Sequence, residues 1–304
     1  MHIAMKSWNL NAHLLLLQAL LIICSSCKKN EINNADPNNS NLTTQTIVHN
    51  GINRQYLQYV PSSYDGTSST PLMLNFHGYG DVASNFINDA DMRALAESDT
   101  FILAYPQGSY LEGVPHWNPC PIDADNKSTT DDLGFVEALV NEISSQYAIN
   151  SQRIYAAGYS NGGMMAYGLS HHKSDLFAAV ASVSGVMLDC EGPPSHPMPI
   201  VHLHGTSDGV IPYYGDSFYK SAQYVVDYWV GFNNTSTNAA VNSDNSGGLT
   251  IEHYTYSQGD SMVSVEHYKY IGGNHVWFER TYQNKDASQL VWDFVSRYNI
   301  NGLN

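Results

Sequence analysis

The segment around Ser160 constrains the fold of this chain more than any other part of the sequence. An apolar run at residues 154–157 predicts a strand that leads into Gly158-Tyr159-Ser160-Asn161-Gly162, and residues 162–171 predict a helix that leaves it. A turn this tight needs glycine where side chains would collide, and it lifts the serine hydroxyl above the sheet at the positive end of the helix dipole. Ser160 is therefore the candidate nucleophile. The alternative is a glycine-rich turn that carries a serine by chance.

Short apolar strands alternate with amphipathic helices along the chain, which predicts an α/β fold with a mostly parallel central sheet and helices on both faces. Asn50-Gly51 predicts a hairpin, so we expect antiparallel strands at one edge. Residues 233–248 are rich in Asn, Ser, Thr and Gly and predict a surface loop. We predict one domain over residues 46–304. The predicted strands include residues 46–60, 72–76, 101–105, 178–183, 200–203, 250–256 and 263–270, and the other predicted helices are 84–97, 131–147, 217–230 and 287–298.

A serine hydroxyl is a weak nucleophile without a base, and after this kind of turn an acid and then a histidine follow in chain order. Asp208 lies in the loop after the strand at 200–203 and is the predicted acid; a turn-capping carboxylate is its other interpretation. Asp216 is the alternative acid, but it lies further from the strand end. His275 follows two glycines after the last strand and is the predicted base, with Asp208 holding its tautomer. Packing in strands or the end of a helix accounts better for His171, His172, His202, His253 and His267.

Two backbone amides are needed to stabilise the negative oxygen that forms when serine attacks a carbonyl. Asn161, directly after Ser160, is one predicted donor. Tyr79 is the other, in the loop His77-Gly78-Tyr79-Gly80 after an early strand, although that loop can also be a simple turn. The 13 histidines include no H-E-x-x-H and no paired Cys/His spacing, so we predict no metal and no cofactor.

Charge and composition restrict the partners. The formal net charge is −15, from 13 basic and 28 acidic residues. No Lys/Arg cluster forms a basic face, which excludes nucleic acid as an expected partner. Only 13% of the residues are charged, whereas 21 are tyrosines, a composition that suits carbohydrate or aromatic ligands. We expect a monomer.

Residues 1–27 predict a lipoprotein-type signal segment. The apolar stretch at residues 10–23 is too short to span a membrane comfortably and has the length of a signal-peptide core. The small residue Ser26 precedes Cys27, as in the lipobox of bacterial lipoproteins, so Cys27 is the predicted lipidation site and Cys24 the alternative. We expect an outer-membrane or cell-surface lipoprotein whose only membrane contact is this anchor. Ordinary cleavage would instead leave a secreted protein.

Residues 28–45 are polar and predict a linker. Two cysteines remain beyond it, Cys120 and Cys190. Cysteines in an oxidising compartment can pair, so a disulfide is predicted and two free thiols are the alternative.

Seven motifs occur in one order along the chain. They are Leu74-Asn75-Phe76-His77-Gly78, Tyr105-Pro106-Gln107-Gly108, Trp117-Asn118, Asp131-Asp132-Leu133-Gly134-Phe135, Gly158-Tyr159-Ser160-Asn161-Gly162-Gly163-Met164-Met165, His204-Gly205-Thr206-Ser207-Asp208 and Gly272-Gly273-Asn274-His275-Val276-Trp277. Together, over residues 72–277, the pattern resembles the polyhydroxybutyrate depolymerase-like esterases, which overlap the feruloyl and acetyl xylan esterases of carbohydrate esterase family one. The resemblance implies the α/β-hydrolase fold and a catalytic triad of Ser160, Asp208 and His275.

The resemblance also implies a ligand pocket shaped by the loop around Trp117 and by Asp131-Asp132. The candidate substrate-binding residues are His77, Trp117, Asp132 and Trp277. Trp117 can stack on a feruloyl ring or a sugar face, or it can be a core residue.

The chain departs from the family pattern near the base. The family often has Gly-Gly-Gly-His-Thr-Trp-Pro, whereas Asn274, Val276 and Phe278 stand here for the third Gly, the Thr and the Pro. We expect no separate polymer-binding domain, which favours soluble or carbohydrate-linked esters over solid polyester.

The expected activity is two-step ester hydrolysis by a serine carboxylesterase, acting on feruloyl or acetyl decorations of plant polysaccharide. The alternative in the same class is a short-chain hydroxyalkanoate esterase, and a triad alone does not exclude a peptidase. The alternative in another class is a non-catalytic surface lipoprotein that binds glycans through an inactive hydrolase fold.

Overall fold

The computed structural model describes residues 41–245 and 248–304. The predicted signal segment and residues 28–40 of the predicted linker lie outside the described residues. Within them, ten strands form one sheet and four short strands form two small hairpins. The strands are β1 Leu42–His49, β2 Ile52–Tyr59, β3 Thr70–Phe76, β4 Ile102–Pro106, β5 Ser109–Leu111, β6 Val114–His116, β7 Ile149–Tyr159, β8 Ala179–Val183, β9 Ile200–Gly205, β10 Ala240–Asp244, β11 Ile251–Tyr256, β12 Val265–Tyr270, β13 Tyr298–Asn299 and β14 Gly302–Leu303.

The main sheet has the order β1-β2-β4-β3-β7-β8-β9-β12-β11-β10. The strands from β4 to β12 in that order run parallel, and antiparallel pairs flank them at both edges. The predicted N-terminal hairpin is confirmed: β1 and β2 meet across Asn50 and Gly51, whose φ angles of 50° and 77° suit a tight two-residue turn. The predicted mostly parallel α/β-hydrolase sheet is also confirmed. The second antiparallel edge, β11 and β10, was not predicted.

Helices cover both faces of this sheet and enclose a core on each. One core joins the sheet to α1, α2 and α6, and the other joins it to α3, α4 and α5. Alternation along β3 shows the two sides, because Met73 belongs to the first core while Leu72 and Leu74 belong to the second. Each fully buried large side chain stabilises the fold by roughly 1.5–3 kcal/mol. The helices are α1 Ala83–Asp89, α2 Arg93–Asp99, α3 Asp132–Gln146, α4 Asn161–His172, α5 Ala222–Phe232 and α6 Ala287–Val295.

Two predicted helices have different bounds in the structure. The helix expected at residues 84–97 is two helices, because the backbone leaves the helical region at Ala90 and α2 begins only at Arg93. The helix expected at 217–230 begins only at Ala222, where the Ser221 hydroxyl accepts from the Tyr224 amide.

The expected surface loop at 233–248 contains the edge strand β10. Its side chains are almost all exposed, so it has no apolar alternation that a sequence pattern can detect. The domain also begins earlier than residue 46, because β1 starts at Leu42 and pairs with β2 up to Tyr59. The last four residues of the predicted linker are therefore part of the sheet.

The structure joins Cys120 and Cys190 in a disulfide, with their Cα atoms 5.8 Å apart. It links the loop after β6 to the loop after β8. Among the described residues, no helix is long and apolar enough to cross a membrane.

Candidate active site

Ser160 lies at the strand-to-helix turn between β7 and α4, with φ 53° and ψ −119°. A non-glycine residue in this region is strained, and the neighbouring packing holds it there. A Cβ on Gly158 would lie 2.1 Å from the Gly162 carbonyl oxygen, and one on Gly162 would lie 2.0 Å from the Phe76 carbonyl oxygen. Both positions therefore require glycine. The turn presents the Ser160 hydroxyl at the carboxyl end of the parallel strands, where loops meet.

The structure brings Ser160, His275 and Asp208 together. His275 Nε2 lies 2.9 Å from Ser160 Oγ, and His275 Nδ1 lies 2.7 Å from Asp208 Oδ2. The three residues follow β7, β12 and β9, which are parallel strands of one sheet and end at the same edge. Residues far apart in the chain thus form one hydrogen-bonded series.

Asp208 is buried and accepts hydrogen bonds at both oxygens. Its Oδ1 accepts from the amides of Val210 and Ile211, each at 2.8 Å. Burial alone would raise the pKa of Asp208, but hydrogen bonds from His204, His275 and these two amides outweigh burial and hold it far below its usual value. An ionised carboxylate only accepts, so His275 carries its proton on Nδ1. Its Nε2 lone pair therefore faces Ser160 and can take the serine proton.

The alternative acid, Asp216, has a different role in the structure. Its carboxylate accepts from the amides of Phe218 and Tyr219, each at 2.8 Å, which closes a local turn.

Two contacts fix the backbone that carries His275. The Tyr159 hydroxyl donates to the His275 carbonyl at 2.9 Å. Burial, followed by the nearby Asp208 charge, raises the pKa of Tyr159 to about 12, so it remains a donor at neutral pH. A Cβ on Gly205 would lie 2.2 Å from the Gly273 carbonyl oxygen, so the loop of the base packs directly on the end of β9.

The predicted oxyanion donors flank the nucleophile. Asn161 is the first residue of α4, directly after Ser160. A Cβ on Gly78 would lie 3.5 Å from Ser160 Cβ, which places the loop that carries Tyr79 beside the nucleophile. The role of these two amides stays a prediction.

His77 contacts the loop that carries Tyr79 from inside the fold. It is fully buried, its Nδ1 donates to the Gly78 carbonyl at 2.7 Å, and its Nε2 accepts from the Gly108 amide at 2.9 Å. Burial lowers the pKa of His77, which keeps the ring neutral. Direct contact between His77 and substrate, as predicted, is wrong for this reason: its ring nitrogens are already bonded inside the fold.

Trp117 is likewise buried. Its backbone pairs with the Asn161 side chain, which accepts from the Trp117 amide at 2.8 Å and donates to the Trp117 carbonyl at 3.1 Å. Its indole donates to the His77 carbonyl at 3.0 Å. The core interpretation of Trp117 is therefore correct and the stacking interpretation is not, although the residue ties its loop to the nucleophile turn.

The remaining two predicted substrate-binding residues also face inward. Asp132 is buried, and its Oδ1 lies 2.6 Å from Arg54 Nη2. Its Oδ2 accepts from the Asn118 amide at 2.8 Å. Trp277 is 7% exposed and donates to Ser288 Oγ at 3.1 Å. Asp132 thus fixes the loop that contains Asn118. Only a small part of the Trp277 side chain is exposed to a ligand.

A cleft of about 400 Å³ beside the base was missed by the sequence reasoning. It is lined by Tyr159 and Val276, which are neighbours of Ser160 and His275 in the chain, and by Asp89, Trp277, Glu279 and Arg280. Val276 is 44% exposed. The signal in the sequence was position: Tyr159 directly precedes the nucleophile and Val276 directly follows the base. Among the described residues, no group of three or more metal-ligating side chains is present.

The chain is similar to known esterases in sequence and in fold. Residues 55–212 match the family model described as Esterase PHB depolymerase. The chain is 27% identical over 261 residues to a bifunctional acetylxylan esterase/xylanase of Neocallimastix patriciarum, covering 83% of this chain and 34% of that protein. It is 27% identical over 262 residues to feruloyl esterase B of Piromyces equi, covering 81% of this chain and 46% of that protein. The chain therefore spans a third to a half of the length of these relatives.

Among solved structures, an acetyl xylan esterase from Aspergillus awamori superposes with a TM-score of 0.61 at 17% sequence identity. The superposition covers 84% of this chain and 99% of that chain. At this identity the likeness shows a shared fold.

Proposed function

The chain belongs to the PHB depolymerase esterase family, and from that premise we propose that it is a serine carboxylic ester hydrolase. The observation that carries the proposal is the series Ser160–His275–Asp208, with contacts of 2.9 Å and 2.7 Å. Serine, base and acid at these distances suit nucleophilic attack on a carbonyl carbon.

In the proposed mechanism, Ser160 Oγ attacks the ester carbonyl while His275 Nε2 takes its proton. The amides of Asn161 and Tyr79 hold the negative oxygen of the tetrahedral intermediate. His275 then gives the proton to the leaving alcohol, and an acyl-serine remains. Water attacks the acyl-serine with His275 again as base, which releases the acid and restores the hydroxyl.

The proposed substrates are feruloyl or acetyl esters on plant polysaccharide. Two relatives that span most of this chain are named as acetylxylan and feruloyl esterases, which supports this class. The cleft beside His275 is compatible with it, because Tyr159 and Val276 offer apolar surface to an acyl group on a lining that also includes the charged residues Asp89, Glu279 and Arg280. The second candidate, a short-chain hydroxyalkanoate esterase, is favoured by the description of the family model.

A substrate panel tests the proposal. We expect hydrolysis of methyl ferulate or acetylated xylan to exceed that of hydroxybutyrate oligomers, with all activity lost in Ser160→Ala. Hydrolysis only of the oligomers would favour the second candidate. Activity that survives in Ser160→Ala would remove the proposed nucleophile, and a folded wild type that cleaves no ester would favour a glycan-binding protein.

We also propose export and attachment through a lipid on Cys27. The disulfide between Cys120 and Cys190 supports an oxidising compartment. In cells fed a palmitate analogue, we expect label on the wild type and on Cys24→Ala but not on Cys27→Ala. Equal label on all three variants would contradict Cys27 as the site.

A further inference from the structure

Two histidines of β9 extend the hydrogen-bonded series beyond Asp208. His204 and His202 are fully buried, and neither has a part in the mechanism above. His204 Nε2 lies 3.2 Å from Asp208 Oδ2 and 2.9 Å from the Ile211 carbonyl oxygen. On the other side of the ring, His204 Nδ1 lies 3.2 Å from His202 Nε2, and His202 Nδ1 lies 2.8 Å from the Tyr167 hydroxyl.

The acceptors around His204 determine where its proton lies. A backbone carbonyl and an ionised carboxylate both only accept, so Nε2 must carry a hydrogen and share it between Ile211 and Asp208. In the tautomer with its single proton on Nε2, His204 has a lone pair on Nδ1, which needs a donor from His202 Nε2. His202 is held neutral because burial, and then the neighbouring histidines, lower its pKa well below the usual value. Its Nδ1 therefore accepts from Tyr167.

We propose that His204 is a positioning residue that holds the Asp208 carboxylate in its catalytic orientation. His202 and Tyr167 set the tautomer of His204. The inference rests on the proposed esterase function. With His204 in place, Asp208 Oδ1 accepts from two amides, and Oδ2 lies 2.7 Å from His275 Nδ1 and 3.2 Å from His204 Nε2. Such a carboxylate has no freedom to rotate, and it presents Oδ2 to His275 without reorganisation during the reaction.

Three variants test the role by activity. His204→Phe removes the donor, while His204→Gln retains an N–H near the position of Nε2. His267→Phe is the matched control, since His267 is also buried in an adjacent strand but bonds to Tyr213 and to the His202 carbonyl, not to Asp208. We expect kcat to fall by about 10- to 100-fold in His204→Phe, the loss that corresponds to one hydrogen bond to a charged group, with KM unchanged. His204→Gln and His267→Phe should keep kcat within about threefold of the wild type. Equal kcat in His204→Phe and His267→Phe would overturn the proposal.

An NMR measurement on histidines labelled with ¹⁵N tests the role without activity. We expect a proton on Nε2 in His202 and His204, and on Nδ1 in His267. We also expect the His275 Nδ1 proton resonance to move in His204→Phe but to stay in His267→Phe. A His204 proton found only on Nδ1, or an unmoved His275 resonance in His204→Phe, would refute the positioning role. These outcomes hold even if the wild type cleaves no ester, a result that would count against the proposed function alone.

Discussion

Lowering the pH should destabilise this protein, because its folded state buries neutral histidines. The loss of stability should begin at a pH above the range in which the carboxylates titrate. Burial is the first cause that lowers the pKa of His171 to about 4 and of His267 to about 3, and it also lowers that of His202. In the unfolded chain these groups bind protons near pH 6.5. Between pH 6.5 and 4 the unfolded state therefore holds more protons, and the free energy of unfolding falls as the pH falls.

The size of the effect follows from these shifts. At pH 5 each of these histidines is protonated in the unfolded chain but not in the folded protein. Each therefore lowers the free energy of unfolding by about 2 kcal/mol, at 1.36 kcal/mol for each pH unit below 6.5. His171 and His267 together remove about 4 kcal/mol, a large part of a typical domain stability of about 5–15 kcal/mol, and His202 adds a loss of the same sign.

Urea unfolding followed by tryptophan fluorescence at pH 7 and pH 5, with the disulfide intact, measures this loss. His171→Phe should reduce the loss by about 2 kcal/mol, because a non-titrating ring then replaces one of the three. His171 stacks on Trp229 with ring centroids 5.0 Å apart, an arrangement that phenylalanine can retain. Equal unfolding free energies at the two pH values would refute the reasoning.

Three further predictions concern other parts of the fold and site. Gly162→Ala should destabilise the protein by at least about 2 kcal/mol, since its methyl group would meet the Phe76 carbonyl. Thermal unfolding measures this change. The control Gly231→Ala should be neutral or stabilising, because nothing lies within 4 Å of the added methyl group. Replacing both Cys120 and Cys190 by serine should cost about 4 kcal/mol, from release of a loop of 70 residues in the unfolded chain, and unchanged urea midpoints would contradict this. Asp208→Asn should lower kcat by about 10⁴-fold because the amide favours the wrong His275 tautomer, whereas Asp216→Asn should match the wild type; similar losses in both would count against Asp208 as the acid.

The arrangement of Ser160, Asp208 and His275 was predictable because each follows a strand of one parallel sheet. Once those strands are identified, their carboxyl ends must share an edge, so loop residues distant in sequence become neighbours. The buried strands were equally predictable from the sequence, because a strand that is covered on both faces, such as β8, is a continuous apolar run.

Features that depend on loop paths were not predictable. In the sequence, His204 stands out only as the first residue of the motif that ends at Asp208, and its contact with Asp208 exists because the loop after β9 turns back over the strand. Trp117 sits in a motif that suggested ligand contact, whereas its burial depends on how the loop after β6 folds against Asn161. The strand β10 lacks an apolar face, so its pairing with β11 has no local sequence signal.

The most direct test of the central claim is to locate the nucleophile chemically. The full chain, incubated with a fluorophosphonate, should gain one adduct, and peptide mapping by mass spectrometry should place it on Ser160. Ser160→Ala should gain none. An adduct on another residue, or no adduct on a folded wild type, would contradict the assignment of Ser160, His275 and Asp208 as a working triad.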